Sequence, residues 1–235
     1  MIKFGAAIAS LAMLFGAADA SHAQQGGRQV NLGWKISCSV DRGAIERGRS
    51  SYIFRKSRNH CSGGIYKQRS EIYTSKFSVN RRVNYLFDSE ISLTSSSSEE
   101  AIIFQIHDGR RGCSPPLSLR WTRGNTFRFD SDYTRGMGMK GCVRNSSLRN
   151  AQYSGPSLRR NGARYRLQVA LAFDGHGSFD VDVLVNGRKV IGGRYQPPSD
   201  PQYVASKQFY MKHGVYSQNI FDYEMRSEGM RVSAW

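Results

Sequence analysis

In the stretch KQFYMKHGVYSQ, residues 207–218, Tyr210, Lys212, Gly214, Tyr216 and Gln218 occupy every second position. An extended strand would therefore present an amine, two phenols and an amide on one side. Two earlier stretches repeat the device. RSEIYTS puts Arg69, Glu71 and Tyr73 on one face and Ser70, Ile72 and Thr74 on the other, and IFQIHD puts Ile103, Gln105 and His107 opposite Phe104, Ile106 and Asp108. A guanidinium grips a carboxylate through a fork of donors, an amide adds an uncharged donor, and imidazoles and phenols move protons. Such a set suits recognition of an anion coupled to proton transfer. A merely solvated sheet face would alternate in the same way, but with more serine, threonine and glutamate.

Side chains on three separated stretches converge only if strands carry them, and the whole chain reads as strand. VNYLFDSEISLT, AIIFQIHD, LSLRW, TFRFDS, RYRLQVALAF, SFDVDVLV and RKVIGGRY are short runs rich in β-branched, aromatic and alternating residues. Turn signals separate them: TRGN after Trp121, DGHG before Ser178, and Asn186-Gly187, the signature of a two-residue hairpin. No later segment sustains a helical period beyond a turn near Arg42 to Arg47. SSSSEE reads as a surface loop, and there is no internal repeat. Many antiparallel strands in one domain of this length predict an all-β jelly-roll sandwich of two curved sheets with a concave groove. The loops at 108–116 and 132–162 are expected to shape the ends of that groove.

Met1-Ile2-Lys3, the apolar run Phe4–Ala18 and the small-residue sites ADA and SHA have the three parts of a secretory signal peptide, with cleavage after Ala20 or Ala23. Residues 1–23 are thus expected as the leader and 24–235 as a single domain, exported to the periplasm or beyond and monomeric. No later stretch is apolar enough for a membrane span. In an oxidising compartment Cys38, Cys61, Cys113 and Cys142 read as two disulfides. Sequence proximity favours Cys38–Cys61 and Cys113–Cys142. His60 beside Cys61 lacks a second close ligand pair, so no metal is expected. The 34 Lys and Arg against 18 Asp and Glu give a formal charge of +16. Lys3 and Asp19 cancel within the leader, so the exported chain keeps that excess, and a polyanion is the expected partner.

The three chemical stretches also carry a resemblance. RSEI at 69–72, QIH at 105–107 and YMKHGVYSQ at 210–218 resemble, in the same order, the RSEL, QIH and YFKAGVYNQ blocks of the alginate lyase family of β-jelly-roll polysaccharide lyases. PPLSLRW and the Asn-Gly hairpin are similar to the heparin lyase I and glucuronan lyase groups. This chain departs from the pattern at His213 for alanine, at Ser217 for asparagine, and in lacking the arginine that commonly follows RSEL.

The resemblance implies cleavage of a uronate polymer by β-elimination: the carboxylate is neutralised, a base takes the C5 proton and an acid protonates the departing O4. It places Arg69 and Gln105 on the carboxylate, His107 as base or further donor, and Tyr216 as the group that protonates O4 and that can also serve as base. Lys212 supplies positive charge favouring a phenolate, and Glu71, Tyr210 and Gln218 complete the substrate-binding set, Glu71 as a strut for Arg69. No cofactor or metal is required. Alginate, glucuronan, heparin-like chains and bacterial exopolysaccharide all fit the charge. His60, His176 and His213 are expected to be surface or structural residues.

Two other classes compete. A jelly-roll hydrolase needs two carboxylates flanking the bond, and the chemical faces offer Glu71 alone. A non-catalytic, lectin-like module that binds acidic polysaccharide would keep the cations without needing His107 and Tyr216 together. The motifs of nucleic-acid binders are missing.

Overall fold

The structure is a computed structural model that describes residues 27–62, 64–136 and 141–235. The expected leader and its cleavage sites lie outside the described residues. Strands β1 (Arg28–Gln29), β3 (Ile45–Arg47), β4 (Tyr52–Arg55), β7 (Arg82–Thr94), β13 (Asn161–Asp174), β14 (Phe179–Val185), β15 (Arg188–Tyr195) and β17 (Glu224–Ala234) form one antiparallel sheet. Its order is β15-β14-β13-β7-β17-β4-β3, with β1 on β17. Strands β2 (Lys35–Ile36), β5 (Gln68–Tyr73), β6 (Phe77–Ser78), β8 (Ala101–His107), β9 (Leu117–Trp121), β10 (Phe127–Asp130) and β16 (Gln208–Ser217) form the second, in the order β10-β9-β8-β16-β5-β2 with β6 on β16. A small ribbon pairs β11 (Asp132–Thr134) with β12 (Cys142–Arg144). This is the β-jelly-roll sandwich that the sequence predicts.

Alternation builds the core. Phe209, Met211 and Val215 of β16, Leu117, Leu119 and Trp121 of β9, and Val169, Leu171 and Phe173 of β13 all turn inward and are essentially buried. Phe209 packs on Phe173 and Phe179, so aromatic rings bridge the two sheets. Burying one such side chain stabilises by about 1.5–3 kcal/mol, which fixes the opposite face of each strand as the polar one. The turns follow their chemistry. Asn186 and Gly187 both adopt positive φ, 52° and 81°, and join β14 to β15 directly from Val185 to Arg188, as a two-residue hairpin requires. A single helical turn, α1 (Ser146–Arg149), buries Leu148; the sequence has no helical period there because four residues are too few to show one. At Arg42 to Arg47, the turn is brief and its last three residues are strand β3.

One irregularity decides what faces outward. β8 and β9 pair Ile102 with Arg120 and Phe104 with Leu119, leaving Ile103 as an extra residue. On the other side, β16 spends two residues, Gly214 and Val215, opposite it. Simple alternation groups Ile103 with Gln105 and His107, but the bulge sends Ile103 into the core beside Phe104 and turns Ile102 outward. His213, fully buried, closes the bulge: its Nδ1–H donates to Ile103 O at 2.9 Å, and Nε2 lies 2.9 Å from Ser227 Oγ on β17. Ser227 Oγ lies 2.6 Å from Ser89 Oγ on β7, which makes a polar strut between the sheets. Burial holds the His213 pKa at about 4, so the ring is neutral at pH 7, as this donor–acceptor chain needs.

Candidate active site

Three neighbouring strands deliver the chemical groups. β16 pairs with β5 on one side and β8 on the other, with Lys212 opposite both Tyr73 and Gln105, Tyr210 opposite His107, and Tyr216 opposite both Arg69 and Ile102. Paired residues share a face, so Arg69, Gln105, His107, Tyr210, Lys212 and Tyr216 converge. They line one groove of about 490 Å³ together with residues 109–115 and the half-buried Tyr66. Asp132 is the part of the 132–162 segment that reaches the groove among the described residues.

Glu71 lies beneath the floor rather than in the groove. It is 1% exposed, Gln105 Nε2 donates to its Oε1 at 2.5 Å, and Lys212 Nζ and Arg69 Nε stand 3.4 and 3.5 Å from its Oε2. One buried carboxylate therefore accepts from Gln105 and Lys212 and pairs by charge with Arg69, in keeping with the strut expected for Arg69. Gly214 opposes Glu71 with φ 132°, and a Cβ there would meet Ser70 O at 2.3 Å and Glu71 Cα at 2.7 Å. Only glycine lets the strands approach closely enough to seat Glu71. Burial pushes the Lys212 amine below the ordinary lysine value, against the pull of Glu71.

Arg69 extends over the ring of Tyr216, its guanidinium carbon 4.1 Å from the centroid, and donates from Nη1 to Cys61 Sγ at 3.2 Å. The Tyr216 hydroxyl accepts the main-chain N–H of Tyr66 at 3.2 Å. His107 stacks nearly parallel on Tyr210, with centroids 5.2 Å apart. Burial, then the Lys212 cation, depress the His107 pKa to about 4, leaving a neutral imidazole at pH 7. Gly109 N–H donates to His107 Nδ1 at 2.8 Å, so the ring proton resides on Nε2 and that nitrogen is a donor. Burial raises the Tyr210 phenol to about 12, so it stays neutral.

Gln218 falls just past β16, is exposed and does not line the groove. His60 is on the surface with Nε2 2.8 Å from Asp41 Oδ1, and His176 is exposed in the Asp174–Gly177 turn. The structure joins Cys38 to Cys61 and Cys113 to Cys142; Cys38, Cys61 and Cys113 border the groove, so both cross-links tie down its walls.

Sequence reading missed Ser118, Arg120, Tyr66, Arg110 and Arg111, all of which line the groove. For β9 the signal was present: in LSLRW the buried Leu117, Leu119 and Trp121 leave Ser118 and Arg120 on the other face. Arg120 pairs with Asp130 and donates from Nη2 to Tyr66 Oη at 2.5 Å. Ser118 Oγ is buried without a hydrogen-bond partner. No period announces Tyr66, which comes from a loop.

No protein-family model matches the chain, and no curated protein matches it at a significant level. Solved structures do match in fold. The alginate lyase AlgAT5 from polysaccharide lyase family 7 superposes with a TM-score of 0.55 at 13% identity, covering 87% of this chain and 95% of that one. The exolytic family 7 alginate lyase AlyA5 from Zobellia galactanivorans gives 0.54 at 12% identity, with 86% and 94% covered. The endo-β-1,4-glucuronan lyase of the fungus Trichoderma reesei gives 0.50 at 14% identity, with 91% and 92% covered.

Proposed function

We propose that this chain is an exported polysaccharide lyase that cleaves a uronate-containing polymer by β-elimination. One observation carries the reading: Arg69, Gln105, His107 and Tyr216, drawn from three strands, meet in a single groove whose charged lining, among the described residues, is five cations, Arg69, Arg110, Arg111, Arg120 and Lys212, against one carboxylate, Asp132. Likeness of fold to alginate and glucuronan lyases supports it. The two disulfides and the leader-like amino terminus support export.

In this mechanism Arg69 and Gln105 bind the uronate carboxylate and stabilise the enolate-like charge that grows as the C5 proton leaves. Tyr216 takes that proton as a phenolate, the C4–O4 bond breaks as the C4–C5 double bond forms, and the same phenol returns a proton to O4. His107 serves as a donor, because its Nδ1 lone pair already accepts from Gly109 and its Nε2 carries the proton. The Arg69 guanidinium lies over the Tyr216 ring, and Lys212 stands on the same strand face. A hydrolytic alternative needs two carboxylates across the bond, whereas Asp132 is the sole carboxylate among the described groove-lining residues. Alginate, glucuronan, heparin-like chains and acidic exopolysaccharide are the candidate polymers.

The experiment is a panel of these polymers followed by ultraviolet absorbance of unsaturated ends, with wild type and Tyr216→Phe compared on the polymer cleaved fastest. Loss of a group that both takes and gives the proton is expected to lower turnover by about 10²–10⁴-fold with binding and fold preserved. Near-wild-type turnover by the variant overturns the role given to Tyr216, and polymer retention without cleavage by wild type overturns the lyase reading in favour of a binding module.

A further inference from the structure

We propose that the main-chain amide of Tyr66 is a working part of the proton-transfer centre: it is a fixed donor to the Tyr216 oxygen, delivered by a segment whose other contacts serve to hold it there. The inference rests on the reading of Tyr216 as the proton carrier. In that role the phenolic oxygen bears negative charge before it takes the C5 proton. A donor already in place stabilises this charge without reorganisation, and hydrogen bonding to a charged form favours that form.

The geometry around Tyr66 is more than its position in a groove wall requires. Its N–H stands 3.2 Å from Tyr216 Oη, and its ring lies against that of Tyr216 with centroids 4.7 Å apart. Its hydroxyl accepts from Arg120, which Asp130 holds from behind. Its carbonyl accepts from Asn59 Nδ2 at 2.7 Å, while Asn59 Oδ1 accepts the N–H of Cys61 at 3.0 Å and Asn59 N–H donates to Lys67 O at 2.8 Å. Cys61 is bonded to Cys38, which flanks β2 on the edge of the same sheet. The main chain of Tyr66 is thus fixed through Asn59, its ring by Tyr216 and its hydroxyl by Arg120. The charged groups around the phenol are Arg69 above the ring, Lys212 on the same strand, Glu71 beneath the floor and Arg120 behind Tyr66. None of these makes the direct hydrogen bond to Tyr216 Oη that the Tyr66 amide makes.

Asn59 is therefore a positioning residue, and the amide it positions can be tested by changing what the backbone offers. Tyr66→Ala removes the ring and keeps the N–H; Tyr66→Pro removes both. Asn59→Ala leaves Tyr66 intact and frees its carbonyl. All three are measured beside Tyr216→Phe on the polymer that wild type cleaves, with circular dichroism and thermal unfolding to establish folding. Tyr66→Pro is expected to show a kcat at least about tenfold below that of Tyr66→Ala, and Asn59→Ala a kcat about tenfold below wild type with KM within about threefold, a partial loss smaller than the loss of about 10²–10⁴-fold for general acid–base assistance itself. A folded Tyr66→Pro equal to Tyr66→Ala in kcat, or an Asn59→Ala that changes KM and not kcat, overturns the inference. If Tyr66→Pro does not fold, Asn59→Ala decides alone. Retained turnover in Tyr216→Phe, by contrast, strikes the parent reading.

Discussion

The two sheets carry most of their ion pairs differently, although the β7-containing sheet also has one buried acid, Asp88, beneath the half-exposed Arg166 and Arg231. On the outer face of the β7-containing sheet, acids stand beside bases in the open: Arg194 with Asp174 and Asp180, Lys189 with Asp182, Arg164 between Glu90 and Glu228, and Arg226 and Arg55 on Glu224. Most of these carboxylates are well exposed, Glu90 at 45% among them, and their fields cancel those of their partners. In the groove the carboxylates lie behind the cations. Glu71 under Arg69 and Lys212, Asp108 behind Arg110 and Asp130 behind Arg120 have side chains 1, 2 and 7% exposed. The cations are deep as well, Arg69, Lys212 and Arg120 being 10, 7 and 8% exposed, and at the groove's centre one acid serves two cations. The lesson is that the ion pairs at the groove are buried as units, where desolvation makes each partner depend on the other, whereas most of those on the outer face are open to solvent and worth little.

That contrast breaks first at Arg69. Arg69→Ala removes the guanidinium proposed to meet the carboxylate and is expected to lower kcat/KM by about 10²–10³-fold, read as initial rates of unsaturated product. Arg164→Ala on the outer face is the matched control, expected within about twofold because an exposed pair is worth little. Equal losses in both would end the distinction.

Next comes the anchor. Glu71→Gln leaves Arg69 and Lys212 without their buried counter-charge and is expected to cost about 3 kcal/mol of stability, seen as a lower midpoint of denaturant unfolding. Glu90→Gln, the corresponding loss in the open, is expected to cost less than about 1 kcal/mol. A Glu71 variant as stable as the Glu90 one would show that the groove cations need no anchor.

The smallest effect appears at acid pH and sharpens the link between the sheets. His213 and His107 stay neutral in the fold down to about 4, whereas an unfolded chain takes up a proton near the ordinary value of 6.5. The unfolded state then binds more protons, so stability falls as pH drops from about 6.5 to about 4 and their contribution levels off below. For the fully buried His213 the span amounts to at most about 3 kcal/mol. Unfolding free energy measured across that interval should decline less steeply in His213→Asn, which cannot titrate. An unchanged slope would mean that the strut between β8 and β17 is not what acid attacks.

Much of this molecule is legible in residue order. Alternation in LSLRW, IFQIHD and FYMKHGVYSQ is enforced by burial, and burial leaves its mark on every second residue. The Asn186-Gly187 hairpin is legible because few residues accept positive φ at both turn positions. The pairing Cys38–Cys61 and Cys113–Cys142 followed from proximity along the chain. Arg69, Gln105, His107, Lys212 and Tyr216 share one groove, whereas Gln218 lies outside it: alternation does not say where a strand stops. His213 carried no mark distinguishing a surface ring from one sealed between Phe54 and Phe87.

By itself, then, the sequence determined the strands, the face each turns to the core, the turns, the excess of cations and the polar side chains that β5, β8 and β16 bring to the groove. These are properties of neighbours along the chain, set by side-chain period and backbone preference. Tertiary structure alone decided the bulge that turns Ile103 inward and Ile102 outward, the sinking of Glu71 below Arg69, Gln105 and Lys212, the nitrogen on which His107 keeps its proton, and the main-chain amide that reaches Tyr216 from Tyr66. Each depends on register between strands distant in sequence or on a backbone group common to nearly every residue, and neither leaves a pattern in the order of side chains.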